Sequence, residues 1–535
     1  MSKMYGKLFL AAILISVGFI LSEKCFSVEL APLFTDDMVL QRSVKIPIWG
    51  QGTPKEKVSV TFHKQQKDTV VDEAGYWRVD LEPEKAGGPF DLTVKGSETI
   101  KLSNILVGEV WLCSGQSNMQ MSLRSVQNAS EEIKTADYPE IRVFTVPQKI
   151  TNPPEANVKW KKRYWRWKVC TPKSAPGFSG VAFLFGRTLY QKLKVPVGLI
   201  CSASGGTPIE AWMDNKVLKA NPEENVSIQK KWLEIEQNWD QKKADETWEK
   251  VIQDWTKAVQ KAKAEGVKPP GKPYFNHNKY ATPKLRKHYP ANLYNCMIRP
   301  LIPYAIKGIV WYQGEANDKE PDLYRKLFPE MIKDLRQKWG DNTLPFIFVQ
   351  LPSYGQDPGK AVQKGGVPLP EFREAQCSAM LELKNVGMAV AMDVQGYHPR
   401  DKQTISSRLA AWALAQVYHL KEYGNSISPT FKSMTVKDGK ALIEFNNTGS
   451  GLVSKDGEAL KYFAIAGKDM KFYKANTELD KNSVLVWSDK VPEPVAVRYA
   501  WGGRISACNL FNKEGFPAAS FRTDKWSDRQ ISIGE

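Results

Sequence analysis

Between residue 28 and about residue 105, apolar and polar positions alternate in short segments. "KIPIWGQG", "KVSVTFHK", "YWRVDLEP" and "FDLTVKG" are separated by Gly, Pro and Asp turns. A period of two predicts half-buried strands, and their regular short spacing predicts a small β-sandwich over residues 28–105. After residue 105 the alternation stops. "ILVGEVWLC", "VGLICSA", "IKGIVWYQ" and "PFIFVQL" are continuous apolar runs, each ending in a polar loop, with helical patterns between several of them. Strands covered on both faces read this way, so an α/β domain with a mostly parallel sheet is expected over residues 106–427. A fifth run, "VGMAVAMDV", leads through "QGYHPRD" into a segment in which Ile405, Leu409, Trp412 and Val417 recur at roughly helical spacing. From residue 428 to 535 short strands return ("ALIEFNN", "KYFAIAG", "SVLVWSD", "AVRYAW"), either as a separate sandwich or as the completion of the first.

One stretch breaks the strand rhythm. Over residues 225–290 a charged helical insertion is expected, with Trp232, Ile235 and Trp239 on one apolar stripe and Trp248, Ile252, Trp255 and Val259 on another. Apolar stripes of this kind predict helix faces packed on the body rather than a sugar-stacking platform. Beyond them, "GVKPPGKPYFNHNKYATPKLRKHYP" is basic and proline-rich without a single acid, which predicts a surface loop close to a ligand.

The first 27 residues have the layout of an export signal: Lys3 and Lys7, then "LFLAAILISVGFIL", then small residues before Val28. The apolar run is short for a membrane span and is followed at once by Glu23 and Lys24, so no stable membrane insertion is expected after signal removal. The product would be periplasmic or extracellular. The formal charge of +17 falls to +15 when the signal takes away three lysines and one glutamate. That balance favours anionic partners such as acidic glycans, while the absence of any nucleic-acid-binding motif argues against nucleic acid. Six cysteines remain, scattered and without a CxxC pair, which argues against a disulfide scaffold or a zinc site.

The chemistry is concentrated in the loops that end the apolar runs. Ser117 in "GQSN" follows the first run, where open α/β sheets place ligands, and an attacking serine needs a base and oxyanion donors. Of the five histidines (His63, His277, His288, His398, His419), His398 lies in a loop after a sheet strand and before a helix. Gly205 and Gly206 follow "VGLICSA" and let backbone N–H groups approach a substrate. Gln313, Glu315 and Asn317 end "IKGIVWYQ".

Taken together, "GQSNM", "GGTPIEAW", "LYNCMI" before "IVWYQGEAN", and "HPRDKQ" resemble the sialate O-acetylesterase group of carbohydrate esterases, within the SGNH-hydrolase superfamily. The resemblance runs in order through roughly residues 105–425. It implies a flavodoxin-like α/β/α hydrolase domain with flanking β-sandwich regions, removing O-acetyl groups from sugars through an acyl-serine and needing no cofactor or metal. On the matching positions it implies Ser117 as nucleophile and His398 as general base. The implied oxyanion donors are the Ser117 N–H, Gly206 in preference to Gly205, and Gln313, with Asn317 as the alternative. The resemblance leaves open whether the sugar is sialic acid, xylan or pectin, and the rival class is a non-catalytic glycan-binding protein.

One position departs from the family pattern. The family's acid often stands three residues before the histidine, where this chain has Gln395. Asp393, five residues before His398, is the remaining local candidate. The alternatives are an acid from elsewhere, such as Glu315, or a Ser–His dyad.

Overall fold

The computed structural model describes residues 27–148, 165–273, 275–355, 368–526 and 531–534; all but the last residue of the expected export signal lies outside the described residues. At the N-terminal end, Ile46–Gln51 pairs antiparallel with Tyr76–Leu81 and Glu29–Leu30, and Lys57–Phe62 pairs with Gln65–Val70 and Gly87–Lys95. Val58, Val60 and Phe62 point inward from one layer, and Trp77, Val79 and Leu81 from the other. All six belong to one apolar core. Each such side chain contributes roughly 1.5–3 kcal/mol by leaving water.

The change of pattern at residue 105 lies inside one strand. Strand β1, Thr99–Gly115, begins half-exposed against Gly87–Lys95 and is buried at every residue from Ile105 onward. It passes without a break from the antiparallel layer into the central sheet. That sheet continues with β2 (Tyr138–Thr145), β3 (Trp167–Cys170), β4 (Val197–Ala203), β5 (Gly308–Tyr312), β6 (Phe346–Val349) and β7 (Val386–Ala389), in the spatial order β3-β2-β4-β1-β5-β6-β7. Only the edge strand β3 pairs antiparallel. The run β4-β1-β5-β6-β7 is the doubly wound order in which chain direction across the sheet reverses beside the first strand, and the crevice at that reversal is where ligands bind.

Helices cover both faces. The short α1 (Ser117–Gln120) follows β1, and α2 (Gly180–Leu193) follows β3. The helices α3 (Pro222–Gln237) and α4 (Gln241–Ala264) form the expected insertion. Three longer helices follow the insertion, α5 (Pro321–Trp339), α6 (Leu369–Glu382) and α7 (Lys402–Gln416). Trp111, Cys113, Leu199, Val310 and Ile347 face α2 and α7, whereas Val110, Leu112, Ile200, Ile309, Trp311 and Phe346 face α5 and α6. Alternate residues of each strand therefore supply two separate cores, which is why these segments are continuously apolar. Trp232 and Ile235 of α3 pack on the body as expected, whereas the α4 stripe stays half-buried, Trp248 lying against Phe275 and Tyr280 of the segment that follows.

The C-terminal strands do not complete the N-terminal layers. Thr430–Lys437, Lys440–Asn446, Ser483–Trp487 and Asn476–Asp480 form a sheet of their own, and a second sheet is centred on Phe463–Ala466 and Ala496–Tyr499. The six cysteines expected in the mature chain are free thiols, and five of them are buried.

Candidate active site

The site forms where β1, β4, β5 and β7 end. Gly115 closes β1 with φ +136°, and a Cβ there would lie 2.2 Å from the Tyr312 carbonyl oxygen of β5, so only glycine lets the two strands run this close. The chain then turns into α1, and Ser117 is its first residue. Ser117 Oγ lies 2.7 Å from His398 Nε2. That distance suits proton transfer from a hydroxyl to a neutral imidazole.

The residues on either side of Ser117 hold the other loops in place. Gln116 is fully buried, and its Oε1 accepts from the backbone N–H groups of Gly314 and Ala316 at 3.4 and 3.3 Å. Asn118, also fully buried, donates from Nδ2 to Glu315 Oε1 and to the Tyr397 carbonyl oxygen, the latter at 2.9 Å. Its Oδ1 accepts from Lys402 Nζ at 2.6 Å. Asn118 thus grips the peptide just before His398, which fixes His398 relative to Ser117.

Lys402 has no measurable exposure and lies 4.8 Å from the centre of the Tyr312 ring. Burial holds its ammonium below the usual lysine range and pushes the Glu315 carboxyl above the usual carboxylate range, while each charge partly offsets the other's shift. Partial burial, and then the Lys402 charge, hold the His398 imidazole below its ordinary value. A base shifted in this way is neutral at neutral pH, the form able to take the Ser117 proton.

Two expected roles change. The Asp393 carboxylate does not face His398; it is bound at both oxygens by Arg408, at 2.7 Å each, and its side chain is only 9% exposed. The turn over 394–397 carries His398 away from Asp393, and a buried guanidinium on α7 takes the carboxylate instead. Glu315 bonds Asn118, not the imidazole. His398 has no carboxylate partner among the described residues, which leaves the Ser–His dyad as the arrangement present.

Gln313 is the second change. Its Nε2 donates to the Thr207 carbonyl oxygen at 3.1 Å and to Asn317 Oδ1 at 2.9 Å, so both amide protons are used. Asn317 is enclosed too: its Oδ1 also accepts from Ile209 N–H at 2.8 Å, and its Nδ2 donates to the buried Glu210 at 3.2 Å. These amides tie the glycine loop to the end of β5 and offer no free donor from Gln313. The Gly205 N–H is likewise taken, by Gln120 Oε1 at 2.8 Å. Gly206 is different. It is exposed, has φ +69°, and its N–H has no partner among the described residues. The Ser117 N–H, at the first position of α1, is also unpartnered among them. A built Cβ on Gly205 would lie 3.4 Å from Ser117 Cβ, so the glycine loop rests directly against Ser117.

Gln116, Asn118 and Lys402 were not singled out from the sequence. The signal was there: Gln116 and Asn118 flank Ser117, and Lys402 is the lysine of "HPRDKQ". What the sequence does not display is that Lys402, 284 residues from Asn118, is buried together with the two residues that flank Ser117.

Three comparisons bear on this geometry. A family model described as carbohydrate esterase, sialic acid-specific acetylesterase, matches residues 107–268 and 281–418. The sialate O-acetylesterase of Mus musculus is 31% identical over 512 residues, 87% of each chain, and that of Homo sapiens is 30% identical over 94% of this chain and 95% of the human one. The crystal structure of a carbohydrate acetylesterase from Xanthomonas citri superposes with a TM-score of 0.75 at 32% identity, covering 93% of this chain and all of that one. With the fold, the paired serine and histidine and these matches in agreement, the chain belongs to the sialic acid-specific acetylesterase family of carbohydrate esterases.

Proposed function

We propose that the protein is a carbohydrate O-acetylesterase acting on O-acetylated sialic acid, with Ser117 as nucleophile and His398 as general base. The observation that carries this reading is the 2.7 Å contact between Ser117 Oγ and His398 Nε2, set against a glycine loop with an unpartnered N–H. His398 takes the Ser117 proton as Oγ attacks the acetyl carbonyl. The Ser117 and Gly206 N–H groups receive the oxyanion, and the imidazolium protonates the departing sugar oxygen. Water, deprotonated by His398, then attacks the acetyl-serine, and the imidazolium returns that proton to Ser117 Oγ as acetate leaves. Gln313 and Asn317 act by positioning the glycine loop. The family membership and the sialate O-acetylesterase relatives support the substrate.

Acetate release from O-acetylated sialic acid, acetyl xylan and acetylated pectin tests the reading. The wild type should release acetate, fastest from sialic acid, and Ser117→Ala and His398→Ala should not. Preference for xylan or pectin would replace the substrate and keep the chemistry. No release from any ester, including a simple aryl acetate, would leave a glycan-binding protein. The reading includes export. No helix among the described residues is long and apolar enough to cross a membrane, and N-terminal sequencing of the secreted product should begin near Val28.

A further inference from the structure

The basic segment after the insertion reaches the active site. Lys287 Nζ donates a hydrogen bond to the Gly205 carbonyl oxygen, and the neighbouring His288 ring lies against Gly206, its Nε2 4.0 Å from where a Cβ on that glycine would stand. Burial alone acts on the Lys287 ammonium, and among the described residues no carboxylate pairs with it. A half-buried ammonium without a counter-ion is costly unless its charge is used.

The Gly205 carbonyl and the Gly206 N–H belong to one peptide plane. The cis bonds of the described chain lie elsewhere, so this bond is trans and its C=O and N–H point in opposite directions. A donor holding the carbonyl on one side therefore aims the N–H to the other. Gln120 fixes the preceding peptide plane through the Gly205 N–H. With both planes held, the Gly206 N–H has one orientation, although its residue has the freest backbone of any type. A cation on the carbonyl also polarises the amide, so its N–H carries more positive charge toward a developing oxyanion.

We propose that Lys287 is a positioning residue of the oxyanion hole, setting the direction and the polarity of the Gly206 N–H through the Gly205 carbonyl. Its effect falls on the transition state, since a ground-state ester carbonyl has little charge for the amide to meet. Burial pulls the Lys287 ammonium below the usual lysine range, yet the carbonyl contact favours the charged form. His288, brought by burial and by neighbouring lysine and arginine charges down to about 4, is neutral at neutral pH and serves as a second support for the loop.

This inference rests on the esterase reading, and the experiment separates the two. Wild type, Ser117→Ala, Lys287→Met and Lys287→Arg are compared on a small aryl acetate, which has no sugar for a lysine to bind, and on O-acetylated sialic acid. Lys287→Met should lower kcat on both esters by roughly 10- to 100-fold, below the loss for deleting an oxyanion donor outright. KM on the aryl acetate should stay within about twofold, as expected when only transition-state stabilisation is lost. Lys287→Arg, which keeps a charged donor, should recover most of the rate, and both variants should melt with the wild type. Unchanged kcat on the aryl acetate overturns the proposal, including the case in which only KM for the sialate rises, because Lys287 would then be a substrate-binding group. Loss of activity together with a lowered melting temperature and no recovery in the arginine variant also overturns it, as a folding effect. An inactive wild type, or an active Ser117→Ala, overturns the esterase reading and this inference with it.

Discussion

At the scale of single residues, the structure separates proximity in sequence from contact. Asp393 is five residues from His398, yet both of its oxygens are held by Arg408. Asp393→Ala should therefore leave acetate release within about tenfold of wild type, whereas losing a true triad aspartate costs on the order of 10⁴-fold. The same change strands a buried guanidinium and should cost about 3 kcal/mol in chemical denaturation. The pH profile follows from His398. Its imidazole is held below the ordinary value by burial and by Lys402, so kcat/KM should fall only as pH drops through a pKa lower than that of a free imidazole. Lys402→Met removes the cation facing the ring and the donor to Asn118, so the acid limb should move to higher pH. The rate should also drop about 10- to 100-fold as the base loses its fixed position. Ser117 and His398 were legible as a pair because each follows an apolar run on the same sheet. The Arg408 contact was not, because α7 is buried nearly all round and its apolar spacing does not mark where Arg408 points.

At the scale of elements, the turn "GQSN" is explained residue by residue. Gly115 permits close approach of β1 to β5, Gln116 and Asn118 hold the neighbouring loops, and Ser117 is left facing His398. Gly115→Ala would press a methyl group onto the Tyr312 carbonyl at a positive φ. Unfolding should show a loss of about 1–3 kcal/mol or more, and hydrolysis should fall with it because the turn that carries Ser117 is displaced. The strands themselves were readable, since continuous apolar runs bounded by polar loops mark a sheet covered on both faces. The direction of the amides was not. Gln313 was expected to donate to the oxyanion, and its protons go to Thr207 and Asn317 instead, a choice made by backbone geometry that no residue pattern records.

At the scale of the whole molecule, two of the features that join the β-regions to the catalytic body stand out. Strand β1 is continuous from the N-terminal layers into the central sheet, so the change in hydrophobic pattern at residue 105 marks a change of environment along one strand and not a linker. On the other side, Arg373 of α6 is fully buried and donates to the carbonyl oxygens of Leu351, Pro352, Gly502 and Gly503. Arg373→Met would leave those carbonyls without their donor. It should cost about 3 kcal/mol or more and expose residues 428–535 to limited proteolysis before the central sheet is cut. The measurement that bears most directly on the central account is labelling with a serine-directed fluorophosphonate, followed by peptide mass mapping of wild type, Ser117→Ala and His398→Ala. An adduct confined to the peptide carrying Ser117, absent from Ser117→Ala and formed far more slowly in His398→Ala, is the predicted result. An adduct on another residue, or labelling of Ser117 at an unchanged rate without His398, would contradict a nucleophile activated by that histidine.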